Sequence, residues 1–582
     1  MNSRIGVSLF FWALVAYGSG ARASICRVAA DGLVASDGSS WALSTTLHSA
    51  LANGNGKSCD EIWVKRGVYL PYQGTIDAAA RQVSFEIARP LKLYGGFAGT
   101  ETLLSQRTLA TLAANSTVLS GDIDGNDLDN DGNQIDETAA DIQGSNSFHV
   151  IVVGGGTGTD GNGSYTESNT TIDGFIVTGG DATIAPSPAG GGLFCNGRGS
   201  GKPCSPTIAN CAFQGNRAGY GGALYALGYT GVSSPVFVDV IFGGNHAAVG
   251  GGAIFNEGNS GISSPRLERV ALHDNTAGDG LDGQGGAMFN NGYNAGDSSP
   301  SLRRVTFSGN SATSSGGGMF NNADYGIASP KLVDVTFHGN AAPRGGAFYD
   351  NSNWGQAYPT LYRVTFSSNT AAEKGGALYV RYTDNDSYPY LTNVTFFGNH
   401  ASDGGAIYTV SDYGNGHALL QHVTFSNNSA SGKAGAWYME CGPMVANCYG
   451  TSGSVVDTIF VDDSAPQNPV IFVAQKTAGI VLQYGVVYDT NAGSGSCPSS
   501  SCAQMQYGDP KLGDLADNGG FTLTMLPGAG SAAIDTGSPQ LMVVDQRGVT
   551  RPQGAGMDIG SVEVSVSIFF DNFEEPCFPT YC

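Results

Sequence analysis

The stretch Ser329-Pro330-Lys331-Leu332-Val333-Asp334-Val335-Thr336-Phe337-His338-Gly339-Asn340-Ala341, followed by Gly345-Gly346-Ala347-Phe348-Tyr349, decides the fold because it returns eight times between Thr207 and Tyr438. Its phenylalanine position recurs as Phe213, Phe242, Leu272, Phe307, Phe337, Phe366, Phe396 and Phe425, at spacings of 29 to 35 residues. An asparagine follows three residues later in every copy, from Asn216 to Asn428. A proline stands seven residues earlier in all but the last copy, where Ala418 replaces it. A fixed period of this length belongs to an array whose units bury their apolar faces only by stacking on one another.

Helical repeats of this length are excluded, because each copy is broken by Gly-Gly, by Ser-Pro and by β-branched clusters such as Val305-Thr306-Phe307. Propeller blades need four strands per unit, and thirty residues with these breakers hold two or three. The chain is therefore read as all-β, a parallel β-helix with one coil per copy and like residues stacked in columns about 4.8 Å apart. Val335 and Phe337 face inward and Thr336 outward. Leu332 falls out of that alternation, so a bulge or corner is required before Val335. Asparagine lies where a turn is due, tolerates the left-handed conformation, and can form a ladder of amides. Gly-Gly makes the next corner, close to the core.

The flanks divide as follows. Residues 1–23 carry Arg4, an apolar run Val7 to Ala16 and Ala21-Arg22-Ala23, the pattern of a secretory signal peptide cleaved before Ser24. Residues 24–60 form an N-terminal cap whose Leu43, Leu47 and Leu51 have helical spacing and would cover the open first coil. Irregular first coils with an acidic insertion at Asp122 to Asp141 occupy 61–200, and the regular repeats 201–465. The last coils and a C-terminal module that would cover the final coil occupy 466–566, and a Cys-containing tail 567–582. No later stretch reaches eighteen apolar residues, so no membrane-spanning helix is expected in the mature chain.

The chain has 582 residues with 87 Gly, 13% charged residues and a formal charge of -22. That balance speaks against nucleic acid and anionic lipid as partners, which both select Lys/Arg clusters, and suits a solvated extracellular surface. All 11 cysteines lie beyond the cleavage site. Cys26/Cys59, Cys441/Cys448, Cys497/Cys502 and Cys577/Cys582 are expected as disulfides, while Cys195, Cys204 and Cys211 leave one thiol over.

Two features suggest binding. Asp127-Leu128-Asp129-Asn130-Asp131-Gly132 has the carboxylate spacing of a calcium loop, making Asp127, Asp129 and Asp131 the expected metal ligands and calcium the one cofactor the sequence admits. Thr138 stands where the twelfth-position Glu of such a loop belongs, and a solvated Asp/Asn turn is the other reading. The fifth position after Gly-Gly is aromatic in every copy, from Tyr225 to Tyr438, while the residue before it faces the other way. If the latter fills the core, the aromatics stack externally, and Tyr349, Tyr379 and Tyr408 could receive sugar rings or a partner protein. A self-stacked structural ladder is the alternative.

Catalytic patterns are sparse. The outward place three before Phe runs Asp239, Arg269, Arg304, Asp334, Arg363, Asn393, His422 and offers no paired carboxylates for glycoside cleavage. H-E-x-x-H, G-x-S-x-G and a P-loop are missing. His246, His273, His338 and His400 occupy places that other copies fill with Ser, Thr, Gly or Ala, and read as exposed ladder positions.

Asp517-Asn518-Gly519-Gly520, Ala533-Ile534-Asp535-Thr536-Gly537, Asp545-Gln546-Arg547-Gly548 with Arg551-Pro552, and Asp558-Ile559-Gly560 ending at Glu563 resemble bacterial secreted proteins with a "choice-of-anchor Q" domain. Trp41-Ala42 and Gly95 to Glu101 resemble the same family. The Phe-x-x-Asn pattern and Gly251 to Ile254 are similar to chlamydial polymorphic outer membrane protein repeats and other right-handed β-helix proteins. The resemblance implies a right-handed parallel β-helix (solenoid), secreted or at the bacterial cell surface, monomeric and structural or adhesive, with no catalytic residues to carry over. An extracellular glycan or protein surface would be its partner. The rival expectation is a polysaccharide lyase or glycoside hydrolase of the pectin-degrading β-helix type, with Arg363 beside Asp334 as the imaginable base in place of a surface salt bridge.

Overall fold

The computed structural model describes residues 24–564 apart from 53–58, 73, 77–78, 109, 111–113, 130, 155–168, 185–187, 281, 384–387, 413–416, 442–451, 475–478, 490–500 and 540–542. The expected signal peptide, the tail with Cys577 and Cys582, and Cys448 and Cys497 lie outside the described residues. Within them the chain is a right-handed parallel β-helix built of three long parallel sheets.

One coil serves for all. Strand Lys331–His338 pairs with Ser301–Ser308 on one side and Thr360–Ser367 on the other, in a register that aligns Phe307, Phe337 and Phe366. Strands Ala341–Arg344 and Phe348–Ser352 form the second and third sides. The bulge demanded between Leu332 and Val335 is Asp334, at φ 59°, and Arg304, Arg363 and Asn393 repeat it in neighbouring coils. A single left-handed residue bends the strand and lets Leu332 and Val335 both face inward.

The phenylalanines form one pile. Rings from Phe307 to Phe425 stack 4.6–4.9 Å apart and within 9° of parallel, all fully buried. Burying each such ring contributes roughly 1.5–3 kcal/mol, and stacking adds about 0.5–1.5 kcal/mol per pair.

The asparagines form a second column. Asn340 Nδ2 donates to Asn369 Oδ1 and to Phe307 O, each at 3.0 Å, while its Oδ1 accepts from Asn310 N (3.1 Å) and Asn310 Nδ2 (2.9 Å). Every polar atom of a wholly buried amide is thereby satisfied. The left-handed residue at this turn is Gly339 (φ 62°), one place before the asparagine, where the sequence suggested Asn340 itself. The glycine turns the chain and leaves the amide aligned with the solenoid axis. At the next corner Gly345 is left-handed (φ 59°), and a Cβ on Gly346 would stand 2.2 Å from Gly376 O, so successive backbones stack there without room for a side chain.

At the N-terminal end the helix is shorter than the leucine spacing predicted. It spans Leu47–Leu51, with the Thr46 side chain accepting from Ser49 N. Leu43 falls in a preceding 3-10 turn and is exposed, because Thr45 bridges to Val28 and holds the chain extended between them. Cys26–Cys59 closes the cap, tying strand Ile25–Val28 to the chain just before strand Glu61–Lys65. Cys195 pairs with Cys204, which makes buried Cys211 the thiol left over.

The C-terminal module differs most from expectation. It contacts the late coils, but it also runs along the side of the solenoid. Arg304 lies 3.8 Å from the Phe521 ring centre, Gln546 Nε2 donates to Val364 O and Thr365 Oγ1, Asn393 Nδ2 donates to Val544 O, and Ser538 N donates to Asp457 Oδ1. The outward threonine column records the footprint: Thr306 is exposed, whereas Thr365, Thr395 and Thr424 are buried under the module.

Candidate functional site

The motif residues of the C-terminal module work within that module. Arg551 and Glu563 form a fully buried ion pair at 3.1 Å, Arg547 grips Asp545, and Asp558 accepts from Asp535 N at 2.8 Å. A module without long strands needs such a network to satisfy its buried backbone groups. Gln546, in the same motif, reaches out to dock the module on the coils.

The column considered for catalysis is consumed by structure. Asp334 receives two bonds from Arg363, at 2.6 and 3.0 Å, and its side chain is 1% exposed, so the salt bridge is buried where a surface pair was expected. Asp239 and Arg269 form a similar, exposed pair. His422, read as an outward ladder residue, is buried near Asp457, and burial pushes its imidazole down to about 3. His246, His273, His338 and His400 keep partly or fully exposed ladder positions. There they meet Thr276, Asp274, Ser367 and Ser429.

The aromatic column after Gly-Gly does lie outside the main core. Phe348 and its counterparts face the interior, while Phe255 through Tyr438 form their own cluster. Tyr349, Tyr379 and Tyr408 are brought together, yet they are only 6%, 6% and 1% exposed, and each is sandwiched between neighbours 4.6–5.2 Å away. Lys374 covers Tyr408 at 4.5 Å. Both faces of each ring are occupied, so a sugar ring has nothing to stack upon. The expected ligand column is a structural ladder in this geometry.

Three other aromatics are exposed to solvent. Tyr293, Tyr325 and Trp354 are 40%, 57% and 44% exposed and sit in turns of three successive coils. Bonds from Asn294 N to Asp324 O and from Tyr325 N to Asn353 O hold the turns in step, and they place Tyr325 and Trp354 where Asn294 stands, one residue after Tyr293. Tyr325 and Trp354 adopt left-handed φ of 54° and 57°. Bulky side chains rarely accept that conformation, at a cost of roughly 1–3 kcal/mol each. Polar side chains flank them, with Asn353 Nδ2 on Asp324 Oδ1 and Asn294 Nδ2 on Ser260 Oγ. The sequence signal was an aromatic in each of these glycine-containing turns, and the regular core columns drew the reading elsewhere.

The acidic insertion folds as a string of carboxylate-anchored turns. Asp129 and Asp131 spend their oxygens on amides of their own loop, including Gly132 N and Asn133 N. Asp127 instead turns inward, accepting from Gln143 N and Asn146 Nδ2. It lines a cavity of about 280 Å3 with Asp122, Asp129 and Asp136, whereas Asp131 does not. Asp131 is thus separated from the two carboxylates it was grouped with, and Asp122 and Asp136, outside the expected triplet, join them. Burial and neighbouring carboxylates push Asp136 up to about 8, and burial raises Asp127 to about 6.

Among protein families, the chain is similar to the Chlamydia polymorphic membrane protein (Chlamydia_PMP) repeat over residues 210–227, 239–257, 363–381 and 393–410. Each matched segment begins on a left-handed bulge residue, Asn210, Asp239, Arg363 or Asn393, and runs through the ladder asparagine to an outer aromatic. No curated protein matches the chain. Among the described residues no helix is long and apolar enough to cross a membrane.

Proposed function

We propose, from the repeat similarity and the solenoid geometry together, that the protein is an exported, surface-exposed β-helix with a structural and adhesive role. It binds a neutral glycan chain along Tyr293, Tyr325 and Trp354 and catalyses no reaction. The observation that carries this reading is the set of exposed aromatics on strained turns of three successive coils, since local rules of structure are broken chiefly where function requires it. Aromatic rings offer an apolar face with polar groups alongside, which suits a sugar ring. Tyr325 and Trp354 hold the same place in turns one coil spacing apart, about 4.8 Å, and with Tyr293 one place earlier in the preceding coil they present that contact more than once along a polymer. The formal charge of -22 disfavours acidic polysaccharides. Two disulfides, at Cys26–Cys59 and Cys195–Cys204, support an oxidising, extracellular location.

The test is binding of the mature chain to neutral polysaccharides, compared with a Tyr293→Ala, Tyr325→Gly, Trp354→Gly variant. Glycine relieves the left-handed strain, so the variant should melt no lower than the wild type while losing at least about tenfold in affinity. Retained binding would sink the proposal. Release of sugar fragments above background in the same samples would overturn its non-enzymatic part.

A further inference from the structure

We propose that the cavity beneath the acidic insertion binds one divalent cation of the calcium class, through oxygens of Asp122, Asp127, Asp129 and Asp136. Four carboxylates line the cavity together with Ser120 and Gln134, and every one of these groups supplies oxygen. An all-oxygen, carboxylate-rich donor set selects a hard cation and gives a soft metal no sulfur or imidazole.

Crowded acids alone would not carry this. The second observation is Asp136, whose residue is 5% exposed, which lines the cavity against the Asp127 carboxyl, and whose Oδ2 is buried with no nitrogen or hydroxyl donor. A buried oxygen left without a donor costs free energy unless something positive meets it. Beside it Asn146 Oδ1 is likewise buried and unpartnered, while the Asn146 amide nitrogen already serves Asp127 and Gly179 O. Gly179 closes this corner: a Cβ there would stand 2.8 Å from Asp136 Oδ2. The ligands come from both ends of the insertion, and an ion would tie them together across the early coils.

Among the described residues no three acidic or imidazole side chains are already closed around a point at ligand distance. Binding therefore draws the turns around Asp122 and Asp129 inward and is coupled to their ordering. Asp131 does not line the cavity and takes no part.

The experiment uses the mature chain dialysed against a chelator, then titrated with calcium chloride by calorimetry and followed by thermal melting. One saturable site and a calcium-dependent rise in melting temperature are expected, since a ligand that binds only the folded state stabilises it. Asp136→Asn should weaken binding at least tenfold, and Asp131→Asn should leave it unchanged. Removing one of several crowded carboxylates should not lower the calcium-free melting temperature, so loss of binding in Asp136→Asn will not reflect misfolding. The proposal is overturned if calcium produces neither heat nor a melting shift, or if Asp136→Asn responds as the wild type does.

Discussion

Replacing Asp463 with asparagine should stabilise the last regular coil at alkaline pH and leave it nearly unchanged at acidic pH. Asp463 ends the turn ladder: its Oδ1 accepts from Asn428 N at 3.0 Å and Asn428 Nδ2 at 2.8 Å, but its Oδ2 is buried without a partner. Burial pushes its carboxyl up to about 8, against roughly 3.9 in an unfolded chain. A folded-state pKa above the unfolded value means that the native protein holds the extra proton. The associated stability is therefore complete below about pH 4 and is lost as pH rises to about 8. At about 1.4 kcal/mol per unit, that loss is on the order of 5 kcal/mol, capped by the free energy at which the final coil simply frays.

Asparagine removes this dependence and adds an Nδ2 that, by the rule of the column, can donate to Phe425 O. Hydrogen exchange in strands Ser429–Lys433 and Ile459–Val461, measured at pH 5, 7 and 9, reads the effect where it arises. A global melt would blur it, because long repeat arrays do not unfold as one unit. Protection in the variant should exceed that of the wild type increasingly from pH 5 to pH 9. Parallel pH profiles, or a wild type better protected at pH 9, would refute the reasoning.

Other outcomes follow from the same columns. Asp350 ends the inner ladder of Asn256, Asn290 and Asn321 and is pushed up to about 7 by burial. Asp350→Asn should therefore show the same sign, with its transition near neutrality in a pH series of denaturation midpoints. Phe337→Ala should cost about 3–5 kcal/mol in denaturant titrations. Phe337→Leu should cost far less, because the column already accepts Leu272. Arg363→Ala strands the buried Asp334 carboxylate and should cost about 3–5 kcal/mol, whereas Arg363→Ala with Asp334→Ala should cost less than Arg363→Ala alone. Cys211, buried and with its thiol pushed up to about 12, should resist alkylation in the folded protein and label only on unfolding, as mass mapping would show.

Reading along the chain was enough for everything that depends on the period. One spacing repeated eight times leaves a single way to stack phenylalanine on phenylalanine and asparagine on asparagine. The broken alternation likewise called for a bulge between Leu332 and Val335, which the fold sets at Asp334. A strand pattern tells which side of the sheet a residue faces, but not what lies against that side. Only the folded chain shows that Tyr349, Tyr379 and Tyr408 exhaust their faces on each other, while Tyr293, Tyr325 and Trp354 stay exposed. Only the fold brings Leu523 onto Thr365, 158 residues away, and buries His422 beneath the module. In the acidic insertion, spacing in sequence grouped Asp127 with Asp131. The turns that each aspartate anchors carried Asp131 out to solvent and set Asp136 beside Asp127, because side chains meet by where the backbone returns and not by how closely they follow one another.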